Sequence, residues 1–257
     1  MWPWRAEVAV VGIDRQCLAS GAGATGGRLQ EVAHGGGAEP PAPAALQEAL
    51  AALFDGRRLP RRIELCAAPD LCRHWVFEVP ASVKSFAELK LLARLRAAQW
   101  FGSDRESGAD WAVTADWRAQ GCVFAAAMPS AWLDRIRQAG RGLGVTLQLR
   151  SANELALGLR AAGGGGPVLA WDTPQHLALA LWEGDGVRAW RCLRRPTGLT
   201  AAQRTSLAVE EAVAMAVALG RAPMAAPSPL ALDDDLAGSE AAWAARVGLQ
   251  ALAKGAA

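Results

Sequence analysis

The chain of 257 residues contains no tyrosine, only three histidines and no apolar run long enough to cross a membrane. A membrane-spanning helix needs about 18 or more consecutive apolar residues. The best candidate, 207–219, is shorter and contains Glu210 and Glu211. The N-terminus also lacks the basic start, apolar core and small-residue cleavage site of a signal peptide. We therefore expect a cytoplasmic protein.

Cysteine is scarce, and its pattern argues against both disulfides and a metal centre. Five cysteines, an odd number spread along the chain, predict reduced thiols. Cys66, Cys72 and His74 lie close in sequence, but their spacing matches no standard zinc pattern, so we predict no metal site. No serine or cysteine lies in a nucleophile elbow, and we predict no catalytic residue.

The charge balance does not require a polyanionic partner. The chain has 27 Lys and Arg against 25 Asp and Glu, a formal net charge of +2. Arginines form two local clusters: Arg57, Arg58, Arg61 and Arg62, and then Arg188, Arg191, Arg194 and Arg195. Such clusters are usually solvated surface, so we predict no nucleic-acid partner. A nucleic-acid adaptor stays an alternative, to be tested by the salt dependence of DNA binding.

Three segments rich in glycine or proline divide the chain, at 34–43, at the tetraglycine 163–166 and at 221–238. Hydrophobic periodicity between them predicts an ordered series of elements. The expected strands are 7–13, 16–22, 27–33, 62–68, 74–79, 111–117, 121–127, 145–149, 167–172, 175–182 and 186–193. The expected helices are 44–54, 85–100 and 151–161, with others beginning at Ser130, Thr200 and Ser239.

The helix that begins at Ser85 has the clearest pattern. Ser85 and Glu88 form a capping box. One stripe of the helix is apolar and is expected to face the core; its residues are Phe86, Leu89, Leu92 and Leu95. The other face contains Lys90, Arg94 and Arg96 and is available to a partner.

The two halves of the chain begin alike. Each opens with three strands joined by tight turns and followed by helix, and each first strand ends in an aspartate, Asp14 or Asp172. This repeat predicts a duplicated α/β fold of two lobes with a cleft, in which opposing turns can hold a polyphosphate and its cation. We expect a first lobe at 1–162, with an inserted subdomain at about 62–150, and a reduced second lobe at 167–257.

Several stretches in this order resemble the actin-like superfamily, and within it PilM and the cytoplasmic domain of GspL. They are "VVGIDRQCLASGAGATGGRLQ", "FEVPASVKSFAELKLLARLRAAQWFG", "CVFAAAMPSAWLDRIRQAGRGLGVTLQLRSANELALGLR" and "AAWAARVGLQAL". PilM and GspL are assembly-platform proteins of type IV pili and type II secretion systems. The resemblance implies a duplicated, ribonuclease H-like two-lobed fold.

The resemblance also implies the residues of a nucleotide cleft: Asp14, Gln16, Asp172, Thr173, Gly198 and Glu154. Nucleotide-binding relatives follow each Asp with a turn containing glycine, which lets backbone N–H groups approach a phosphate. Here Gln16 places a side chain in the first turn, and Pro174 removes a donor from the second. We therefore expect a degenerate site and no bound cofactor, with ATP and Mg²⁺ as the alternative. For Glu154 the favoured explanation is structural, as the capping partner of Ser151.

The resemblance implies a non-catalytic cytoplasmic scaffold at the inner membrane of a bacterium. Its expected partners are the cytoplasmic tail of a PilN-like or GspM-like inner-membrane protein and the assembly ATPase. The main alternative is an ATP-dependent actin-like enzyme such as a small-molecule kinase. That enzyme would need glycine-bearing phosphate turns and an acid acting as base near the acceptor hydroxyl.

Overall fold

A computed structural model describes residues 8–20, 29–37, 39–55, 58–102, 110–117, 121–162, 167–184, 186–220 and 238–254. The elements in chain order are β1 (Val8–Ile13), β2 (Cys17–Ser20), β3 (Gln30–Ala33), α1 (Pro43–Leu53), β4 (Arg62–Ala67), β5 (Arg73–Glu78), α2 (Phe86–Phe101), β6 (Trp111–Ala115), β7 (Cys122–Pro129), α3 (Ser130–Leu143), β8 (Thr146–Ser151), α4 (Ala152–Ala162), β9 (Val168–Asp172), β10 (His176–Glu183), β11 (Gly186–Arg194), α5 (Ala201–Ala218) and α6 (Glu240–Ala253). Every expected strand and helix has its counterpart in this series.

The chain forms two compact units. The first combines Met1–Cys72, Met128–Ala156 and Gly238–Ala257, and the second combines Arg73–Ala127 and Leu157–Ala237. The domain boundaries expected from the sequence differ from the boundaries of these two units, and they stay a prediction. The tetraglycine between the expected lobes lies outside the described residues.

The first unit is built on a five-stranded mixed sheet of order β3-β2-β1-β4-β8. β1, β2 and β3 form an antiparallel meander, and β4 lies parallel to both β1 and β8. The central strands are buried: Val11, Ile63 and Leu65 are at most 1% exposed. Continuous apolar strands of this kind are typical of parallel strands that are covered on both faces.

Helix α6 packs directly on β1, and two glycines allow the close approach. A Cβ added to Gly12 would overlap the carbonyl oxygen of Ala241 and lie 2.6 Å from the backbone nitrogen of Ala245. On the helix side, a Cβ added to Gly248 would overlap the Sγ of Cys66. The helix backbone therefore lies against the strand with almost no side chain between them.

The second unit contains two three-stranded sheets, of order β5-β7-β6 and β11-β10-β9. β9, β10 and β11 form an antiparallel meander, and α5 covers it through Ala208, Ala212 and Met215. The expected duplication is confirmed, because the meander β1–β3 precedes α1 and the meander β9–β11 precedes α5.

Helix α2 covers the sheet β5-β7-β6 with a different face from the one expected. Its buried residues are Leu89, Ala93 and Ala97, whereas Phe86 and Leu95 are 53% and 59% exposed. The expected apolar stripe was therefore wrong at these two positions. Trp75 and Phe77 of β5 belong to the same core cluster as this helix face, and two of the three buried helix residues are alanines.

Helix starts follow the capping pattern read from the sequence. The backbone N–H of Glu88 donates to Ser85 Oγ, and the N–H of Gln203 donates to Thr200 Oγ1. Gln203 Oε1 accepts in return from the N–H of Thr200, which completes a capping box. Each cap satisfies a donor that the helix itself leaves open.

Across the described ranges, none of the helices combines the length and the apolar character that a membrane crossing requires.

Candidate functional site

The turn after β1 is organised by the carboxylate of Asp14, which is 6% exposed. Its Oδ1 accepts from the backbone N–H groups of Gln16 and Cys17 at 2.7 and 2.8 Å. The N–H of Asp14 donates to the carbonyl oxygen of Cys17 and closes the turn. Asp14 is therefore a turn-forming residue, and Gln16 lies exposed beside it.

The second carboxylate oxygen of Asp14 accepts from the backbone N–H of Ala241 at 3.0 Å, in the first turn of α6. The same helix start is held by Ser239, whose Oγ accepts from Ala242, and by Glu31, which accepts from the N–H and Oγ of Ser239. A carboxylate here also complements the positive end of the helix dipole. Both oxygens of Asp14 thus bind backbone groups of the first unit.

A second, partly buried carboxyl, that of Asp70, lies beside this turn. The backbone N–H of Arg15 donates to Asp70 Oδ2, and Arg15 Nε donates to the carbonyl oxygen of Asp70, both at 3.1 Å. Burial raises the pKa of Asp70 to about 6, and the negative charges of Asp14 and Glu240 act in the same direction. The N–H of Arg15 lowers this pKa, but by less than burial raises it.

His34 closes the turn from the other side. The N–H of Gly36 donates to His34 Nδ1, so the proton is on Nε2, which donates to the carbonyl oxygen of Asp14 at 3.0 Å. The ring also meets Trp132 edge-on. Burial lowers the pKa of His34. The histidine is therefore a neutral part of the scaffold.

The turn after β9 has the same form but different chemistry. The N–H of Thr173 donates to the carbonyl oxygen of His176 at 2.8 Å, and the N–H of His176 donates to Thr173 Oγ1. The hydroxyl of Thr173 therefore does here what the carboxylate of Asp14 does in the first turn. The carbonyl oxygen of Pro174 accepts from Arg195 Nη2 at 2.6 Å.

Asp172 lies one position earlier in its hairpin than Asp14 does. It pairs with Leu177 across β9 and β10, as Ile13 pairs with Leu18 across β1 and β2. Successive residues of a strand point to opposite faces, so the two aspartates that look equivalent in the sequence are one register position apart. The carboxylate of Asp172 is buried and forms an ion pair with Arg204 of α5, at 2.8 Å between Oδ2 and Nε.

The two remaining expected site residues lie in their own elements. Gly198 has a φ of +80° and precedes the capping residue Thr200, so it serves the turn that leads into α5. The N–H of Glu154 donates to Ser151 Oγ at 3.3 Å. Glu154 is thus the third residue of a capped helix, as the favoured explanation held. The structure brings Asp14 and Gln16 together in one turn, and Asp172 and Thr173 in another.

The cysteines and histidines considered for a metal site are used in packing. Cys66 and Cys72 are buried, and burial raises the pKa of both thiols, that of Cys66 to about 12. His74 stacks on Phe124 with ring centroids 5.5 Å apart. In the part of the chain that the structure describes, no group of three or more His, Cys, Asp or Glu is placed to hold a metal ion.

Two arginines of the second cluster form ion pairs within the protein. Arg188 forms an ion pair with Glu183, and Arg191 forms one with Glu211. Because these charges are neutralised locally, they offer little to a nucleic-acid backbone. Arg57 of the first cluster lies outside the described residues.

Sequence reasoning missed three residues that define the first turn and its counterpart, namely Asp70, Arg204 and Ala241. Ala241 lies 227 positions from the carboxylate that it contacts. No local pattern links such distant residues. Ser239 predicted the residue at which α6 begins, but it did not indicate which part of the fold the start of that helix would contact.

Two antiparallel meanders, each followed by helix and each turning at a buried polar side chain, define the class of this protein as a duplicated α/β fold. No protein-family model and no curated protein sequence matches the chain. Proteins with a similar fold are found among solved structures.

The chain is similar to a chain of the "PilM-PilN type IV pilus biogenesis complex", with a TM-score of 0.51 and 18% identity over 85% of this chain and 67% of that one. It is also similar to the cytoplasmic domain of EpsL, an inner membrane component of the type II secretion system of Vibrio cholerae. That match has a TM-score of 0.50 and 9% identity and covers 95% of this chain and 94% of the other. These likenesses confirm the predicted resemblance at the level of the fold.

Proposed function

We propose that the chain is a non-catalytic scaffold of a type IV pilus or type II secretion-like assembly platform, acting at the cytoplasmic face of a bacterial inner membrane. Its partners are the cytoplasmic tail of a PilN-like or GspM-like inner-membrane protein and the assembly ATPase. The observation that carries the proposal is the fold, which two proteins of such machines share over 85% and 95% of this chain.

The chemistry of the two turns supports the non-catalytic part of the proposal. A nucleotide site of this fold class needs acidic oxygens facing a cation and backbone donors facing phosphates. Asp14 instead binds three backbone N–H groups, and Asp172 is neutralised by Arg204. We infer that the nucleotide cleft is degenerate and that binding and coupling, rather than bond chemistry, are the function.

The proposal is tested by direct binding to partner tails. Fluorescein-labelled peptides covering the cytoplasmic tails of the PilN-like and GspM-like proteins of the same organism are titrated with the full chain, and anisotropy is measured. We expect saturable binding of one tail and none of a scrambled peptide of the same composition. Binding of the intact assembly ATPase is measured by size-exclusion chromatography of the mixture.

The opposite outcome is equally specific. If neither tail nor ATPase binds, and the chain transfers phosphate from Mg·ATP to a small hydroxyl compound, the scaffold proposal fails. The kinase alternative would then replace it.

A further inference from the structure

A pocket of about 270 Å³ opens beside the first turn of α2, in the second unit. Its apolar lining comes from Val79, Val83 and the buried Leu89. One wall is an aromatic pair, Phe86 and Trp117, whose rings meet edge-on with centroids 5.3 Å apart. The pocket is smaller than the roughly 300–1,000 Å³ of sites that hold small molecules or cofactors. Its size therefore suits a single large apolar side chain.

The wall of the pocket is unusually accessible for an aromatic residue. Phe86 is 53% exposed, although it directly follows the helix cap and lies next to apolar residues against which it could pack. Exposed apolar surface and aromatic residues, phenylalanine among them, are features of protein-binding interfaces.

Two lysines border the aromatic wall. Lys84 lines the pocket, and Lys90 lies over the Phe86 ring, with Nζ 4.4 Å from the centroid. The neighbouring acid, Glu88, is committed to the helix start, because its Oε2 accepts from the N–H of Lys84 at 2.7 Å. Lys84 Nζ donates to the carbonyl oxygen of Ala81 at 2.7 Å and keeps two further N–H donors. The rim therefore presents two ammonium groups around the apolar pocket.

We propose that this pocket is a docking site for an acidic peptide segment of a protein partner, which inserts one large apolar side chain and places its carboxylates against Lys84 and Lys90. The proposal deepens the scaffold function by naming the chemistry of one contact surface, and it rests on that function for its biological setting. A bilayer is the poorer occupant, since the apolar surface is a concave hole for one side chain rather than a broad face.

The experiment measures binding of short labelled probe peptides to the full chain by fluorescence anisotropy at 150 mM salt, where the Debye length is about 8 Å. The main probe has a central leucine flanked on both sides by glutamates. Matched probes replace the leucine with serine or the glutamates with lysines. We expect the main probe to bind, and each replacement to weaken binding at least about tenfold.

Variants of the protein locate the site. Phe86→Ala removes the exposed ring of the aromatic wall, and the double variant Lys84→Glu, Lys90→Glu reverses the charge of the rim. Each change is expected to lower the affinity for the main probe at least about tenfold. The matched control is Arg135→Glu with Arg137→Glu, which reverses two exposed charges on α3 that do not line the pocket and is expected to change affinity less than about twofold. Circular dichroism of every variant checks that α2 is intact.

Four outcomes overturn the proposal. The first is an equal loss of affinity for the main probe in the two double variants, and the second is binding that does not change when the central leucine is replaced. The third is binding of phosphatidylserine vesicles that Phe86→Ala abolishes while no peptide binds. The fourth is self-association of the chain, measured by sedimentation velocity, that Phe86→Ala abolishes while no peptide binds. Because the probes are independent of pilus and secretion proteins, failure here leaves the tail-binding experiment of the proposed function intact.

Discussion

The side chain of Asp14 joins parts of the first unit that are far apart in the sequence. It binds its own turn through Oδ1 and the start of α6 through Oδ2. A buried carboxylate with three backbone donors is strongly held, because each donor would otherwise lose its partner in a place that water does not reach. The residue therefore holds both its own turn and the start of α6.

Replacing Asp14 tests this role. Asp14→Ala removes the acceptor of Gln16, Cys17 and Ala241, and we expect it to lower the free energy of unfolding by about 3 kcal/mol. Urea denaturation followed by circular dichroism measures the change. Asp134→Ala, at an exposed side chain paired only with Arg137 across one helix turn, is the control and should cost about 0.5 kcal/mol or less. Equal midpoints for the two variants would contradict the assignment.

Asp70 gives the first unit a pH dependence of predictable sign. Burial raises its pKa from 3.8 to about 6, so the folded state binds a proton more readily than the unfolded state does. Its contribution to stability is therefore fully present below about pH 4 and is lost as the pH rises through about 6. Two pKa units correspond to at most about 3 kcal/mol.

Asp70→Asn removes this titration while keeping an oxygen that accepts from Arg15. We expect the variant to match the wild type near pH 4 and to exceed its stability at pH 7.5 by up to about 3 kcal/mol. Urea unfolding at both pH values measures the difference. His34, whose pKa is lowered by burial, contributes the opposite slope below pH 6.5, but it is present in both proteins and cancels. A constant gap between the proteins at the two pH values would show that Asp70 does not titrate in this range.

At the scale of elements, the contact between β1 and α6 depends on missing side chains. Gly12 lies under the backbone of the helix, where the nearest atoms belong to the main chain of Ala241 and Ala245 and cannot rotate away. Alanines fill the interface around this point and are 0–2% exposed; they are Ala19, Ala241, Ala242 and Ala245. The interface tolerates no added volume.

Gly12→Ala should therefore displace α6 and cost more than about 3 kcal/mol. The matched control is Gly158→Ala in α4, where an added Cβ meets no atom within 4 Å. There the better helix propensity of alanine should raise stability by up to about 1 kcal/mol. Thermal unfolding of both variants measures the contrast. A small effect at Gly12 would mean that α6 does not lie on β1 in solution.

The sequence predicted the order of these elements well, because strand alternation and helix caps are local signals. Ser85, Ser151 and Thr200 each marked a helix start that the structure confirms. The orientation of α2 could not be predicted in the same way. It depends on contacts with Trp75 and Phe77 in the sheet below, against which the helix places Ala93 and Ala97 beside Leu89.

The expected site was less predictable than the fold for a related reason. Asp14 and Asp172 both end an apolar strand in the sequence, yet only the register of each hairpin shows that Thr173 is the true counterpart of Asp14. A shift of one residue changes the face on which a side chain lies. The pairing of neighbouring strands determines this register, and that pairing cannot be read from a single sequence.

At the scale of the whole molecule, the scaffold proposal makes a prediction about nucleotide. Neither turn combines a glycine with an uncommitted acid, so we expect no measurable heat when the full chain is titrated with Mg·ATP by calorimetry. Asp172→Asn and Asp134→Asn should leave this result unchanged. Micromolar binding that Asp172→Asn abolishes and Asp134→Asn preserves would favour the enzyme alternative.

The contact between Asp14 and Ala241 also sets an order of events during synthesis. The ribosome delivers β1 early, but the helix that covers it becomes available only after residue 241 has left the exit tunnel. Until then the nascent first unit exposes the apolar surface around Gly12, and such surfaces attract chaperones. Translation as far as the start of α6 must therefore precede native closure of β1.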